Sequence, residues 1–260
     1  MKYIEPADME KLPGRTLKTT DRFLFRCHPD LECFNRCCRN LNLFLYPYDV
    51  VRLKKHLGIS SDRFLDRHVD VVLRPDNFFP DVLLKMMECN HRLCPFLSES
   101  GCSVYDNRPY SCRLFPVEQG AHYDAIQNKT EMIHFFRPPD FCLGQKESEP
   151  WTPESWIDDQ KAGPHAEMTT DWAALKRLFV ENPWGADGPD GPKGKMAFMA
   201  VYNIDRFREF VFKSSFLKRY RVKSTVRKKI RINDVELLKF GFEWIKFFIW
   251  GIRTPYINRG

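Results

Sequence analysis

Cysteine dominates the chemistry that this sequence can do. Cys27, Cys33, Cys37 and Cys38 fall within twelve residues, spaced Cys-x5-Cys-x3-Cys-Cys. A second group, Cys94-x7-Cys102-x9-Cys112, is preceded by Cys89 and followed by Cys142, after which the chain holds no further cysteine. Thiolates are soft ligands that select zinc, copper(I) or iron–sulfur clusters over magnesium or calcium. Buried packing does not require four thiols at this density. Eight of the nine cysteines would satisfy two four-thiolate sites, or one site with spare thiols. The adjacent pair Cys37-Cys38 suits two centres, or two irons of one cluster, because neighbouring side chains diverge from the backbone. The spacings match neither the two-residue knuckle of zinc ribbons nor the ferredoxin runs, so the metal stays open between zinc and iron–sulfur. No Cys-x-x-Cys redox motif is present.

Arg108 and Arg113 flank Cys112, and a guanidinium near a thiolate site can donate hydrogen bonds to sulfur and offset its negative charge. They are the candidate supporting residues. His28 and His91 adjoin the cysteines and read as surface histidines, while Asp49 reads as a helix-capping residue. No general acid or base stands out, so a catalytic group is not nominated.

The elements that must present these thiols are short. Asp49 to Leu57 carries Val50, Leu53 and Leu57 at helical spacing and stops at Gly58, and a second helix begins near Ser60 or Ser61. Cys94 to Tyr105 places short apolar runs around Ser98-Glu99-Ser100-Gly101, which predicts a hairpin or tight loop. Thr170 to Val180 predicts a helix, and Phe198 to Phe212 repeats bulky apolar residues at helical intervals. Asn233 followed by Glu236 has the form of a helix-capping box.

The 260 residues are 43% hydrophobic and 14% aromatic, enough for a sizeable core. The amino-terminal MKYIEPADMEKLPGR lacks the apolar stretch of an export signal, and charges interrupt Val235 to Ile252. The expected setting is therefore the cytoplasm, without a membrane span, where stable disulfides are rare. Net charge is +7, and Lys213 to Arg231 holds nine basic residues and no acidic one. That stretch could contact nucleic acid, with Phe216 and Tyr220 stacking on bases, but a solvated face is the default reading. A protein partner is equally open.

Taken together, Phe25-Arg26-Cys27, Cys33, Cys37-Cys38, the run Tyr46 to Val50, Cys94-Pro95-Phe96-Leu97, Gly101 to Tyr105, Arg108 to Arg113, Phe115-Pro116 and Cys142-Leu143-Gly144 form a pattern. It resembles the YkgJ-type cysteine-cluster family of zinc- or iron-chelating domains with eight characteristic cysteines. The resemblance covers residues 23–146 and implies Cys27, Cys33, Cys37, Cys38, Cys94, Cys102, Cys112 and Cys142 as metal ligands. Cys89 has no counterpart in it, and the first cluster is more widely spaced here. A distant relationship to flagellin lysine methylases implies an enzyme alternative, for which no glycine-rich cofactor loop is found.

The expectation is a mainly α chain with loops and short hairpins. A metal-organised cysteine-rich domain would occupy 23–146 and a predominantly helical region 147–260. The favoured function is metal binding, in metal handling or electron transfer. A metal-dependent modifying enzyme and a zinc-stabilised nucleic-acid or protein-binding module are the alternatives.

Overall fold

The computed structural model describes Ile4, Lys11, residues 14–74 and residues 77–259. The amino-terminal stretch on which the reading of export rests lies mostly outside them. Helix, at about 47%, outweighs strand, at about 18%, so the chain is mainly α with small sheets. The strands are β1 Arg15–Leu17, β2 Phe23–Leu24, β3 Val69–Val72, β4 Asp81–Leu84, β5 Leu97–Ser98, β6 Gly101–Cys102, β7 Val117–Asp124, β8 Lys129–Phe136, β9 Pro150–Trp151, β10 Tyr220–Val222 and β11 Ile257–Arg259. The helices are α1 Pro47–His56, α2 Ser61–His68, α3 Tyr110–Leu114, α4 Pro153–Asp159, α5 Gly163–Leu178, α6 Pro192–Tyr202, α7 Ile204–Lys213, α8 Phe216–Arg219, α9 Ser224–Ile232 and α10 Asp234–Trp250.

Two compact units share the chain. One comprises residues 1–44 and 84–174, the other 45–83 and 175–260. The segment 45–83 clusters with the carboxyl-terminal helices.

In the first unit β7 and β8 form a hairpin with Val117 opposite Phe136 and Asp124 opposite Lys129, and β1 adds antiparallel to β8. This hairpin of two eight-residue strands is absent from the sequence expectation. Its core is aromatic. Phe25 packs edge-on against Phe115 and Trp156, with ring centroids 6.1 and 5.6 Å away, and the Trp156 indole donates to the Leu114 carbonyl at 2.9 Å.

In the second unit the helices begin and end where local chemistry dictates. Asp49 accepts from the Tyr46 N–H at 2.9 Å, which starts α1, and Gly58 takes the left-handed φ of 63° that follows its end. Ser60 accepts from the Arg63 N–H to start α2. The run Phe198 to Phe212 is two helices rather than one, because the Asn203 side chain caps α7 and interrupts the repeat. Asn233 caps α10 by accepting from the N–H groups of Val235 and Glu236. On α10 Leu237, Phe240 and Trp244 are buried, and Phe207 and Phe216 pack against its aromatic side chains. Glu243 and Lys246 on α10 are half-buried and paired at 2.7 Å. A polar cluster lies beside this core: Lys54 Nζ reaches Asp205 Oδ1 at 2.9 Å and Asp234 Oδ2 at 2.8 Å, and Ser61 N–H donates to Asp205 at 2.7 Å.

Among the described residues, no helix is long and apolar enough to cross a membrane.

Candidate metal centre

All nine cysteines lie in the first unit and none of them forms a disulfide. Hydrogen bonds join the three chain segments that carry eight of them. β2 pairs with β9, and the chain continues in extended form so that Phe25 N–H donates to Glu149 O at 2.9 Å and Arg26 N–H to Gly144 O at 3.0 Å. This fixes Cys27 beside the turn that carries Cys142. The approach is so close that a Cβ on Gly144 would lie 2.6 Å from the Arg26 carbonyl oxygen and 2.8 Å from the Phe25 ring. Only glycine fits there without displacement.

Successive turns then carry the chain through Cys33 to a 3-10 turn at Arg36–Cys38, with Asn35 in the left-handed region at φ 63°. The Cys33 sulfur accepts from the Leu143 N–H at 3.2 Å, and the Arg36 guanidinium lies 5.0 Å from the centroid of the Phe141 ring. The first cluster thereby folds onto the segment around Cys142. Beyond Cys38 the chain turns to the second cluster: Cys94 N–H donates to Cys38 O at 2.9 Å, and Arg39 forms an isolated bridge with Leu93.

The expected hairpin at 94–105 is present. β5 and β6 pair with Leu97 opposite Cys102, and Leu97 N–H closes a turn on Cys94 O at 3.0 Å. Cys112 follows on α3.

The electrostatics record the same neighbourhood. The Cys27 residue is exposed, but desolvation of its sulfur and then the charges of Cys37, Cys142 and Cys33 push its thiol up to about 11. Burial raises Cys142, Cys94 and Cys102, each opposed by backbone N–H groups aimed at its sulfur: Gly144 and Gln145 at Cys142, Phe96 and Leu97 at Cys94, and Val104 at Cys102. Cys37 and Cys38 hydrogen-bond to each other instead of diverging. Accepting from Cys38 lowers Cys37 to about 7, and the same bond together with burial raises Cys38. Neighbouring charges on Cys112 and Cys94 raise Cys38 further. Backbone amides, led by that of Leu93, and the Arg39 guanidinium lower the exposed Cys89 thiol.

Both arginines are buried. Arg108 donates to Tyr105 O and to Gln160 Oε1, each at 2.6 Å, and its charge partly offsets the burial that raises the Cys102 thiol. Arg113 donates to Gln160 O at 2.7 Å and to Asp106 O. These bonds brace the loop that carries Cys102 and Cys112. Gln160, which receives both, was not singled out in sequence; it lies 52 residues from Arg108, and no local pattern marks it. His28 lies near Asp30 and Glu147, 3.5 and 4.0 Å away.

The donors suit a thiophilic ion. They are soft thiols that repel one another when charged, and N–H dipoles are aimed at several of the sulfurs. Among the described residues, however, no three His, Cys, Asp or Glu side chains are closed on a single ion position. The sulfurs are gathered without being closed into a coordination shell.

Residues 26–142 match a family model, CxxCxxCC, described as "Putative zinc- or iron-chelating domain". The segment is similar to that family. The CxxCxxCC match spans both cysteine groups, from the residue before Cys27 to Cys142 itself. No curated protein and no solved structure matches the chain.

Proposed function

We propose that this protein binds zinc or an iron–sulfur cluster through eight thiolates, Cys27, Cys33, Cys37, Cys38, Cys94, Cys102, Cys112 and Cys142, and serves in metal handling or electron transfer in a reducing, cytoplasmic setting. One observation carries the reading. Backbone hydrogen bonds join the segments that carry these thiols, from Arg26 to Gly144 O, Leu143 to Cys33 Sγ and Cys94 to Cys38 O, whereas backbone amides and Arg39 lower the Cys89 thiol.

The contacts favour two sets of four. Cys27, Cys33, Cys37 and Cys142 are tied by the Arg26–Gly144 and Cys33–Leu143 hydrogen bonds and by the Arg36–Phe141 contact. Cys38, Cys94, Cys102 and Cys112 are tied by the Cys38–Cys94 bond and the β5–β6 hairpin, with α3 following directly. Cys37 influences thiols of both sets. Zinc would supply a redox-silent cross-link, and a cluster one-electron transfer.

The chain's own residues hold the thiols in register and present N–H donors to the sulfurs. Arg108 and Arg113 support the second set by bracing its loop, and Arg108 also offsets negative charge. Thiolate ligands organise residues 23–146 in this reading, because short loop-borne elements gain most of their order from a common centre. Metal analysis and electron paramagnetic resonance of anaerobically purified protein test the proposal. Thiophilic metal in stoichiometric amount supports it, and a metal-free, fully folded protein refutes it.

A further inference from the structure

The basic run 213–231 lies in the second unit, where its structure separates two roles that the sequence leaves mixed. The interleaved aromatics are not available to stack on bases. Phe216 is 1% exposed and packs against Phe240 and Trp244, and Tyr220 lies half-buried against Phe216 at 4.7 Å. The cations face outward. On α9 Ile230 is buried and Val226 half-buried, which leaves Arg227, Lys228 and Arg231 exposed. With Ser224 and Leu217 these three line a groove of about 310 Å³.

Few of these charges are neutralised. Lys213 pairs with Glu209 at 2.9 Å, Lys229 reaches Glu236 only at 3.9 Å, and Arg231 stacks over the Phe212 ring at 4.3 Å. Among the described residues Lys218, Arg219, Arg221, Lys223, Arg227 and Lys228 are exposed and have no carboxylate partner. So many like charges on one short stretch repel one another, and a polyanion relieves that repulsion.

We propose that this face binds the phosphodiester backbone of double-helical nucleic acid without reading bases. Charge complementarity selects a polyanion, and burial of Phe216 removes the stacking platform that single strands use. A membrane surface fits less well, because the apolar side of α9 is turned into the core and Ile232, 84% exposed, is its one fully presented apolar residue. A nine-residue helix runs roughly 13 Å, along which a duplex presents several phosphates at about 1.7 Å each. The inference does not depend on which metal the cysteines hold.

The test uses the full chain and fluorescence anisotropy, with labelled duplex DNA and duplex RNA as separate probes. Polyglutamate and phosphatidylserine vesicles serve as competitors. Engagement of six cations gives a log–log salt slope of about −5 on DNA. Arg227→Glu with Lys228→Glu weakens binding at least about tenfold and reduces the slope by about 2. Lys193→Glu with Lys195→Glu, the same charge change on exposed positions of α6, leaves affinity within about twofold, since these residues lie outside the basic run 213–231. Circular dichroism checks the fold, and Arg221→Glu on β10 gives the same direction of change should the α9 variant not fold.

Three results overturn the proposal: no duplex binding at low salt, equal loss in the α6 control, or competition by polyglutamate or vesicles as effective as that by unlabelled duplex. Preference for DNA or RNA identifies which helix is the ligand, and either preference supports the proposal.

Discussion

Gly144→Ala probes how the first cysteine set is assembled. The added methyl would lie 2.6 Å from Arg26 O and 2.8 Å from Phe25 Cε2, well inside contact distance. Neither neighbour yields easily. Arg26 is tied to Gly144 by a 3.0 Å hydrogen bond, Phe25 to Glu149 by one of 2.9 Å, and the Phe25 ring is wedged against Phe115 and Trp156. Forcing a methyl into such a site costs about 1–3 kcal/mol, and stretching the Arg26–Gly144 bond adds about 1. The total of about 2–4 kcal/mol corresponds to a Tm lower by roughly 6–12 °C in a chain of this size. Displacing this strand also separates Cys27 from Cys142, so metal content falls together with stability.

Differential scanning fluorimetry and metal analysis measure the two effects on the same preparations. Gly163→Ala is the control, because a Cβ there meets nothing within 4 Å. Its Tm is unchanged or slightly raised. A Gly144→Ala protein with unchanged Tm and full metal would refute the claim that this close approach builds the site.

Three predictions concern the second unit. Lys54→Ala leaves Asp205 and Asp234 without their shared cation and destabilises by about 2–3 kcal/mol in urea unfolding, less than for a fully buried pair because the Asp205 side chain keeps 34% exposure; an effect below about 0.5 kcal/mol, the range of ordinary surface changes, would show that the cluster is incidental. Burial works against ionisation of Asp205, but the Ser61 N–H and the Lys54 ammonium outweigh it and hold the carboxyl below its usual range. Its stabilising contribution is therefore full above the unfolded carboxylate pKa of about 4 and lost as pH falls through the lower folded value, so Asp205→Asn flattens the acid limb of a stability–pH curve; an unaltered limb contradicts this. Asn233→Ala removes the α10 cap and costs about 1 kcal/mol by the same unfolding assay, whereas no loss would mean that packing alone fixes that helix start.

Legibility in the sequence followed the range of the forces involved. Local signals survived folding: Gly58 after α1, Ser60 before α2, the turn at 98–101 and the cap at Asn233 rest on chemistry within four residues. Extent was harder to read. α5 starts at Gly163 rather than near Thr170, and Asn203 splits the aromatic run into α6 and α7. The β7–β8 hairpin escaped because Gln119 and His134 interrupt its apolar alternation and face each other across the strands, a pairing visible only once the register is known.

The same limit applied to the site. Density and residue type singled out the cysteines. Their grouping depends on contacts such as Leu143 N–H to Cys33 Sγ, which join residues 110 apart. The two compact units also depend on long-range packing, since no compositional break occurs at residue 44 or 84.

Cys89 and Cys142 separate the eight-thiolate account from its rivals most directly. Wild-type protein, Cys89→Ser and Cys142→Ser are purified anaerobically in parallel, and iron and zinc are counted per chain by plasma mass spectrometry. The account predicts a full metal complement in Cys89→Ser and a clear loss in Cys142→Ser. Equal loss in both would make Cys89 a ligand, and full retention in Cys142→Ser would remove the thiolate that ties the distant segment to the first cluster.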